Sequence, residues 1–273
     1  MIPIDFITEW REYAPWVTDD KVEQDLIISR AIVEIFGNDE LADSLAWRGG
    51  TALHMLYINP PSRYSEDIDL VQVKQEEIGH TIDLLRGVLD PWLGAPRRVS
   101  KEGSFTLLYR FQSTSPPDIP MRLKIEINTR EHFTELGHVK QPFSVDSRWF
   151  QGQAAITTFS IEELLGTKLR ALYQRRKGRD LFDLWLADER LNFSSEKVVA
   201  CFLRYLQESS LFISRAEFEE NLLNKIQDPR FLKDITPLLS PAISWAQNSA
   251  LEMVMKKLVS NLPGKPWQSS PQS

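Results

Sequence analysis

The spacing of apolar residues in this chain changes period once, near residue 160. Before that point, short stretches alternate between apolar and polar residues, the period of a strand with one buried face. After it, apolar residues recur at helical spacing almost to the end. In the first part the pattern predicts a helix over residues 19–36, with Val22, Leu26, Ile27, Ala31 and Ile35 on one face, Asp19-Asp20 at its start and Gly37-Asn38 as its stop. Leu45-Ala46-Trp47 reads as a short strand running into Arg48-Gly49-Gly50, then a short helix over residues 51–57 that Asn59-Pro60-Pro61-Ser62 ends. Strands are expected over residues 67–73, 105–111 and 122–128, and a helix over 75–89. Residues 141–153 read as irregular or edge strand, and Thr157-Thr158-Phe159 as a last short strand.

Ser160-Ile161-Glu162-Glu163 has the form of a capping box opening the helical part. Turns follow near Lys177-Gly178, Asn192-Phe193-Ser194, Asp228-Pro229 and Ser240-Pro241. A strand-rich half followed by a helical half predicts an α+β fold: a mixed sheet with an N-terminal helix over residues 1–158 and a helical domain over 159–263. Residues 264–273, rich in Pro, Ser and Gln, read as a disordered tail.

Composition narrows the class. The chain has 273 residues, 42% hydrophobic and 26% charged, as expected for a soluble globular protein. It shows neither a membrane-spanning apolar run nor a secretory leader, so a cytoplasmic location is expected. The single cysteine, Cys201, lies in an apolar helical pattern and excludes both an internal disulfide and a thiolate-rich metal site. A net charge of −6 disfavours a dedicated duplex-DNA binder, yet basic clusters occur at Arg97-Arg98, at Arg122/Lys124/Arg130 and from Arg170 to Arg179.

The chemistry concentrates in two places. Asp67 and Asp69 are two apart, so on a strand both carboxylates point the same way while Ile68 and Leu70 point into the core. Two such carboxylates repel unless a cation lies between them, which makes them candidate metal ligands. Glu126 falls on the polar face of the strand over 122–128 and can serve as a third ligand, if that strand pairs beside the acidic one; a solvated face beside Lys124 is the plainer alternative. Upstream, Gly49-Gly50-Thr51 opens a helix whose free N–H groups suit phosphate, and Arg63 and Ser65 stand at the mouth of the acidic strand, as phosphate contacts or as a capped loop. The second place runs from Lys168 to Trp185. Lys168 and Arg175 share a helix face, Gly178 interrupts the helix, and Arg179-Asp180 opens the next, with Asp183 three residues on. Read alone, this is a basic surface helix with an ordinary Arg–Asp pair. Beside an acidic metal pair, Lys168 and its neighbouring arginines, Arg179 among them, complement a triphosphate. His54, His80, His132 and His138 are scattered, with His54 read as packing, and no P-loop, Gly-x-Ser-x-Gly or His-Glu-x-x-His motif occurs.

Gly49-Gly50-Thr51-Ala52-Leu53, Arg63-Tyr64-Ser65-Glu66-Asp67-Ile68-Asp69-Leu70 and Lys168 through Arg179-Asp180-Leu181-Phe182-Asp183-Leu184 together resemble the AbiEii/AbiGii-type toxins. These are nucleotidyltransferases with a polymerase β-like core from toxin–antitoxin and abortive-infection systems. The resemblance implies that the sheet half is a nucleotidyltransferase core, with Asp67 and Asp69 as metal ligands and Ser65 at the triphosphate. It implies Lys168 at the nucleotide and a further acid, Asp180 or Asp183, with Asp180 favoured for its place at a helix start; Glu126 as third ligand comes from strand pattern only. It further implies Mg²⁺ as cofactor (two ions), an NTP as substrate, an RNA acceptor such as the tRNA 3′ end, and a cognate antitoxin. Two other readings stand beside it: transfer to a small molecule or protein side chain, and a non-catalytic interaction protein on a degenerate nucleotidyltransferase fold.

Overall fold

The computed structural model describes residues 2–115 and 117–268. Two compact units divide the chain: Met1–Phe159 with Ser240–Ala242, and Ser160–Leu239 with Ile243–Ser273.

In the first unit the elements run α1 (Ile4–Trp10), α2 (Asp19–Phe36), α3 (Asp39–Ser44), β1 (Leu45–Arg48), α4 (Gly49–Leu56), β2 (Asp67–Gln72) and α5 (Gly79–Leu93). Then come β3 (Arg97–Lys101), β4 (Ser104–Gln112), β5 (Pro120–Asn128), β6 (His138–Asp146) and β7 (Gln151–Phe159). The seven strands form one mixed sheet in the order β3-β4-β5-β2-β1-β7-β6, the α+β architecture expected. β2 pairs parallel to β5 and antiparallel to β1, while β1 pairs parallel to β7. Ile68, Leu70, Leu123, Ile125 and Ile127 are buried, and their alternation with the half-exposed Asp67, Asp69, Lys124 and Glu126 is the pattern that marked these strands.

Several elements differ from expectation. The segment read as irregular or edge strand is a hairpin of two nine-residue strands, β6 and β7, with β6 at the sheet edge. Only Val145 of β6 is buried, so no apolar alternation advertises the strand. The helix expected over residues 75–89 begins later and runs through Pro91 to Leu93. β3 and α1 were not anticipated; in β3 no residue is fully buried.

The second unit contains α6 (Ile161–Gln174), α7 (Gly178–Arg190), α8 (Ser195–Glu208), α9 (Arg215–Ile226), α10 (Pro229–Lys233) and α11 (Gln247–Met253). Ser160 caps α6 by accepting from the N–H of Glu163, whose buried carboxylate accepts from the Tyr205 hydroxyl at 2.8 Å. Gly166 lets α6 close onto α8, because a Cβ there would press on Cys201 and the backbone of Phe202. Cys201 is fully buried in that seam, as core. In the segment expected to be a disordered tail, the exposed Trp267 donates its N–H to Glu219 at 2.7 Å; residues 269–273 lie outside the described residues. Among the described residues no helix is long and apolar enough to cross a membrane.

One buried carboxylate fastens α1 to α2. Asp25 accepts from the indole N–H groups of Trp10 at 3.0 Å and Trp16 at 3.1 Å. Burial pushes its carboxyl from 3.8 up to about 6, with the two indole bonds pulling partly back. The folded state therefore holds a proton that the unfolded state has lost between those values, and stability falls as pH rises through that window. Asp25→Asn has no such dependence, so the stability gap between wild type and D25N should shrink between pH 4 and 7 in denaturant titrations; a widening gap would contradict the assignment. Asp25→Ala orphans both indoles and should cost about 2 kcal/mol or more.

Candidate active site

The register of β2 against its neighbours assembles the acidic face. Asp67 lies opposite Lys124 and Asp69 opposite Glu126 across the parallel β2–β5 pair, and Asp69 lies opposite Arg48 on β1. The two aspartates therefore share a face, as the spacing predicts, and Glu126 stands beside Asp69. Lys124 stands among them as well. Its ammonium is 2.5 Å from Glu126 and 3.9 Å from Asp67. Burial would lower the Lys124 pKa, but Glu126 and the two aspartates outweigh it and hold the ammonium charged. Asp67 remains undercompensated: burial, its largest influence, pushes its carboxyl up to about 6, Asp69 and Glu66 push the same way, and Lys124 and Arg122 only partly oppose them.

This arrangement tests the three-ligand expectation. Among the described residues, no group of three His, Cys, Asp or Glu side chains is arranged to hold a metal ion. Glu126, expected as the third ligand, has its carboxylate on Lys124. The reason is the strand's own alternation, which sets a lysine two residues away on the same face. Asp67 and Asp69, side by side on one face of β2, are the carboxylates that would hold a divalent ion, since Mg²⁺ is commonly bound by one or two carboxylates together with phosphates.

The glycine turn packs directly onto this pair. Gly49 has φ +86°, which a side chain rarely adopts, and a Cβ there would overlap the Asp69 carboxylate. Arg48 makes no side-chain cap on α4, so the helix begins on glycines against the acidic strand. Thr51, expected among the nucleotide contacts, is 2% exposed. Its hydroxyl is 2.6 Å from the Asp67 carbonyl and 2.7 Å from the Ser65 hydroxyl. A carbonyl only accepts, so Thr51 donates to Asp67 and Ser65 must donate to Thr51. Thr51 thus locks α4 to the start of β2, and the half-exposed Ser65 keeps its lone pairs for other partners. Arg63, also expected at the phosphates, is 3% exposed and donates to the Tyr64 carbonyl at 3.1 Å, so it belongs to the fold beneath the strand mouth.

The other candidates lie in the helical unit. Lys168 of α6 is 2.8 Å from Asp183 and 3.2 Å from Asp180, and both aspartates are fully buried. Arg175 closes on Asp180 through two bonds of 2.7 Å. Burial would raise the Asp180 carboxyl, but the charges of Lys168 and Arg175 overcome it and hold the pKa below its ordinary value. Both aspartates hold Lys168, and Asp180 also holds Arg175. Lys168, expected at the nucleotide, is 5% exposed and carries two carboxylate partners. Gly178 begins α7 because a Cβ would run into the Phe231 carbonyl, and the half-exposed Arg179 gives its backbone N–H to Asp234 at 3.4 Å. Lys124 and Arg175 are the residues whose ion-pair roles sequence reasoning missed, although alternation had already placed Lys124 on the acidic face.

A mixed sheet carrying paired aspartates beside a glycine-opened helix defines a nucleotidyltransferase fold. The family model described as "Nucleotidyl transferase AbiEii toxin, Type IV TA system" matches residues 30–253, and the chain belongs to that family. Among solved structures, MenT4, a nucleotidyltransferase toxin of Mycobacterium tuberculosis H37Rv, is similar with a TM-score of 0.67 and 14% identity, covering 96% of this chain and 91% of that one. A nucleotidyltransferase from H. pylori follows with a TM-score of 0.50 and 21% identity, covering 89% and 96%. No curated protein matches the chain in sequence.

Two outcomes test the ion pairs. Lys168→Met removes the cation that the two buried carboxylates share and should cost about 3–5 kcal/mol, seen as a lowered thermal midpoint; an unchanged midpoint would refute the buried pair. Lys124→Met should lower the midpoint in EDTA and gain more from millimolar Mg²⁺ than wild type does. An equal gain in both proteins would mean that Lys124 does not compensate the acidic face.

Proposed function

We propose that this nucleotidyltransferase toxin transfers a nucleotide from an NTP to the 3′-hydroxyl of an RNA acceptor, with the tRNA 3′ end as the favoured target, and that it acts in the cytoplasm under a cognate antitoxin as part of an abortive-infection response. The observation that carries the reading is the acidic pair Asp67/Asp69, held in register on β2 with the Gly49 turn pressed against it. The family supplies the antitoxin partner, since its members are toxins of type IV toxin–antitoxin systems.

A divalent cation on Asp67 and Asp69, Mg²⁺ in this proposal, would screen phosphate charge and acidify the acceptor hydroxyl. The protein's own groups do the rest. The N–H groups at Gly49 and Gly50 face the donor's phosphates, and Ser65 borders them from the mouth of β2. The acceptor hydroxyl oxygen bonds to the α-phosphorus while the bond to the β-phosphate's bridging oxygen breaks, and pyrophosphate leaves with that electron pair. The hydroxyl proton is released to solvent at the acidic face as the new bond forms. Lys168 is assigned to the nucleotide on the family resemblance, with Asp180 and Asp183 orienting its ammonium.

Incubation of the purified protein with each radiolabelled NTP, Mg²⁺ and total RNA should label a small RNA. Label on protein or on a small molecule would redirect the acceptor class, and label on nothing would refute transfer. Asp67→Ala should lower labelling by a factor of at least 10³, on the scale of removing a main catalytic group. Its thermal midpoint should stay level or rise, because the substitution relieves the repulsion with Asp69.

A further inference from the structure

A second charge conflict of opposite sign lies on the same sheet. Arg110 of β4 and Arg122 of β5 are direct partners in the antiparallel register, and both are exposed. Like charges placed opposite one another across strands destabilise a sheet. Arg122 has a distant partial partner in Glu66 at 3.5 Å, while Arg110 makes no ion pair among the described residues. The pair borders a cavity of about 740 Å³ whose lining also includes Asp20, Glu66, Phe111 and Gln112. That volume falls in the roughly 300–1,000 Å³ range of small-ligand sites.

The cavity's place relative to the acidic strand decides what it would hold. In the sheet order, β4 and β5 lie on one side of β2, and β1, which runs into the Gly49 turn, lies on the other. If the donor's leaving phosphates face the Gly49 turn, an in-line attack brings the acceptor from the β5 side, where the arginines stand. Glu66 adjoins Asp67 in the chain, and Arg122 is on the same face of β5 as Lys124, opposite Asp67. Glu66 and Arg122 thus place one edge of the cavity's lining beside the mouth of β2. The cavity's chemistry is that of one step of a single strand: two guanidinium groups for a phosphodiester, the half-buried Phe111 ring for a base, and the Gln112 amide for a base edge.

We propose that this cavity is the acceptor subsite, taking the terminal phosphodiester and base of a single-stranded RNA 3′ end on Arg110, Arg122 and Phe111. The assignment rests on the transfer reading above and adds where the acceptor is gripped. It makes Arg110 and Arg122 binding residues for the acceptor, with no part in holding the donor.

The test uses the full-length protein and a fluorescently labelled short single-stranded RNA with a free 3′-hydroxyl, followed by anisotropy. Arg110→Ala and Arg122→Ala should each weaken RNA binding about tenfold at low salt, and the double variant should also flatten the salt dependence by about one to two units of slope. NTP binding by calorimetry should be unchanged. The thermal midpoint of R110A should be level or raised, because the repulsion is relieved. Unchanged RNA affinity in the double variant overturns the subsite, as does lost NTP affinity, which would assign the cavity to the donor, or absence of RNA binding by wild type. If wild type labels RNA and the double variant keeps the same acceptor KM, the subsite falls and the transfer reading stands. If arginine-dependent RNA binding occurs without any labelling, the subsite stands and the transfer reading falls.

Discussion

The parallel register of β2 on β5 is the constraint on which the acidic face depends. Ile68, Leu70, Leu123, Ile125 and Ile127 are all buried, and a slip of one residue would turn them to the outer face and drive carboxylates into the core. Apolar burial thus holds in place an arrangement that electrostatics alone would disperse. Asp67 and Asp69 stay side by side because the residues between and beside them cannot move. Thr51 adds a polar lock, fastening the glycine-opened helix to the first residue of the same strand.

Charge balance differs between the two clusters. In the helical unit, Asp180 and Asp183 face Lys168 and Arg175, two charges against two, at short distances, with Lys168 and both carboxylates buried and Arg175 closing the cluster from the surface. Such a cluster is satisfied as it stands, and removal of one member strands the others. On the sheet, Lys124 is shared between Glu126 and the more distant Asp67, and the Asp67 carboxyl is raised toward neutrality. An unbalanced and partly exposed cluster is the one that gains from a ligand of opposite charge. The same reasoning, with the sign reversed, singles out Arg110 and Arg122 on the neighbouring strands.

Taken together, these clusters describe a sheet face that changes sign along its strands. Carboxylates gather at β2, where a cation and a nucleotide's phosphates would complete them, and guanidinium groups gather at the β4–β5 pair, where a nucleic-acid backbone would. Neither cluster is explained by the stability of the fold, because each adds repulsion to a sheet whose core is already well packed. The buried helical-unit cluster shows what a stabilising arrangement looks like in the same chain, with every carboxylate met by a cation.

Local periodicity carried much of this protein. The helix over residues 19–36, the polar and apolar faces of β2 and β5, and the Ser160 cap follow from spacing and capping chemistry that act over a few residues. β3, β6 and α1 were missed or blurred because their positions are mostly half-exposed or their pattern is too short for a period to show. What only the tertiary structure decided is which charge meets which. Nothing near Arg63 in the chain announces that it is buried, and nothing near Lys168 says that two aspartates hold it. The alternation that showed Glu126 on the acidic face could not say that Lys124 would claim it. Side-chain direction is a property of a residue and its neighbours in sequence, whereas a counter-charge comes from strand order, register and helix packing, which join residues far apart along the chain.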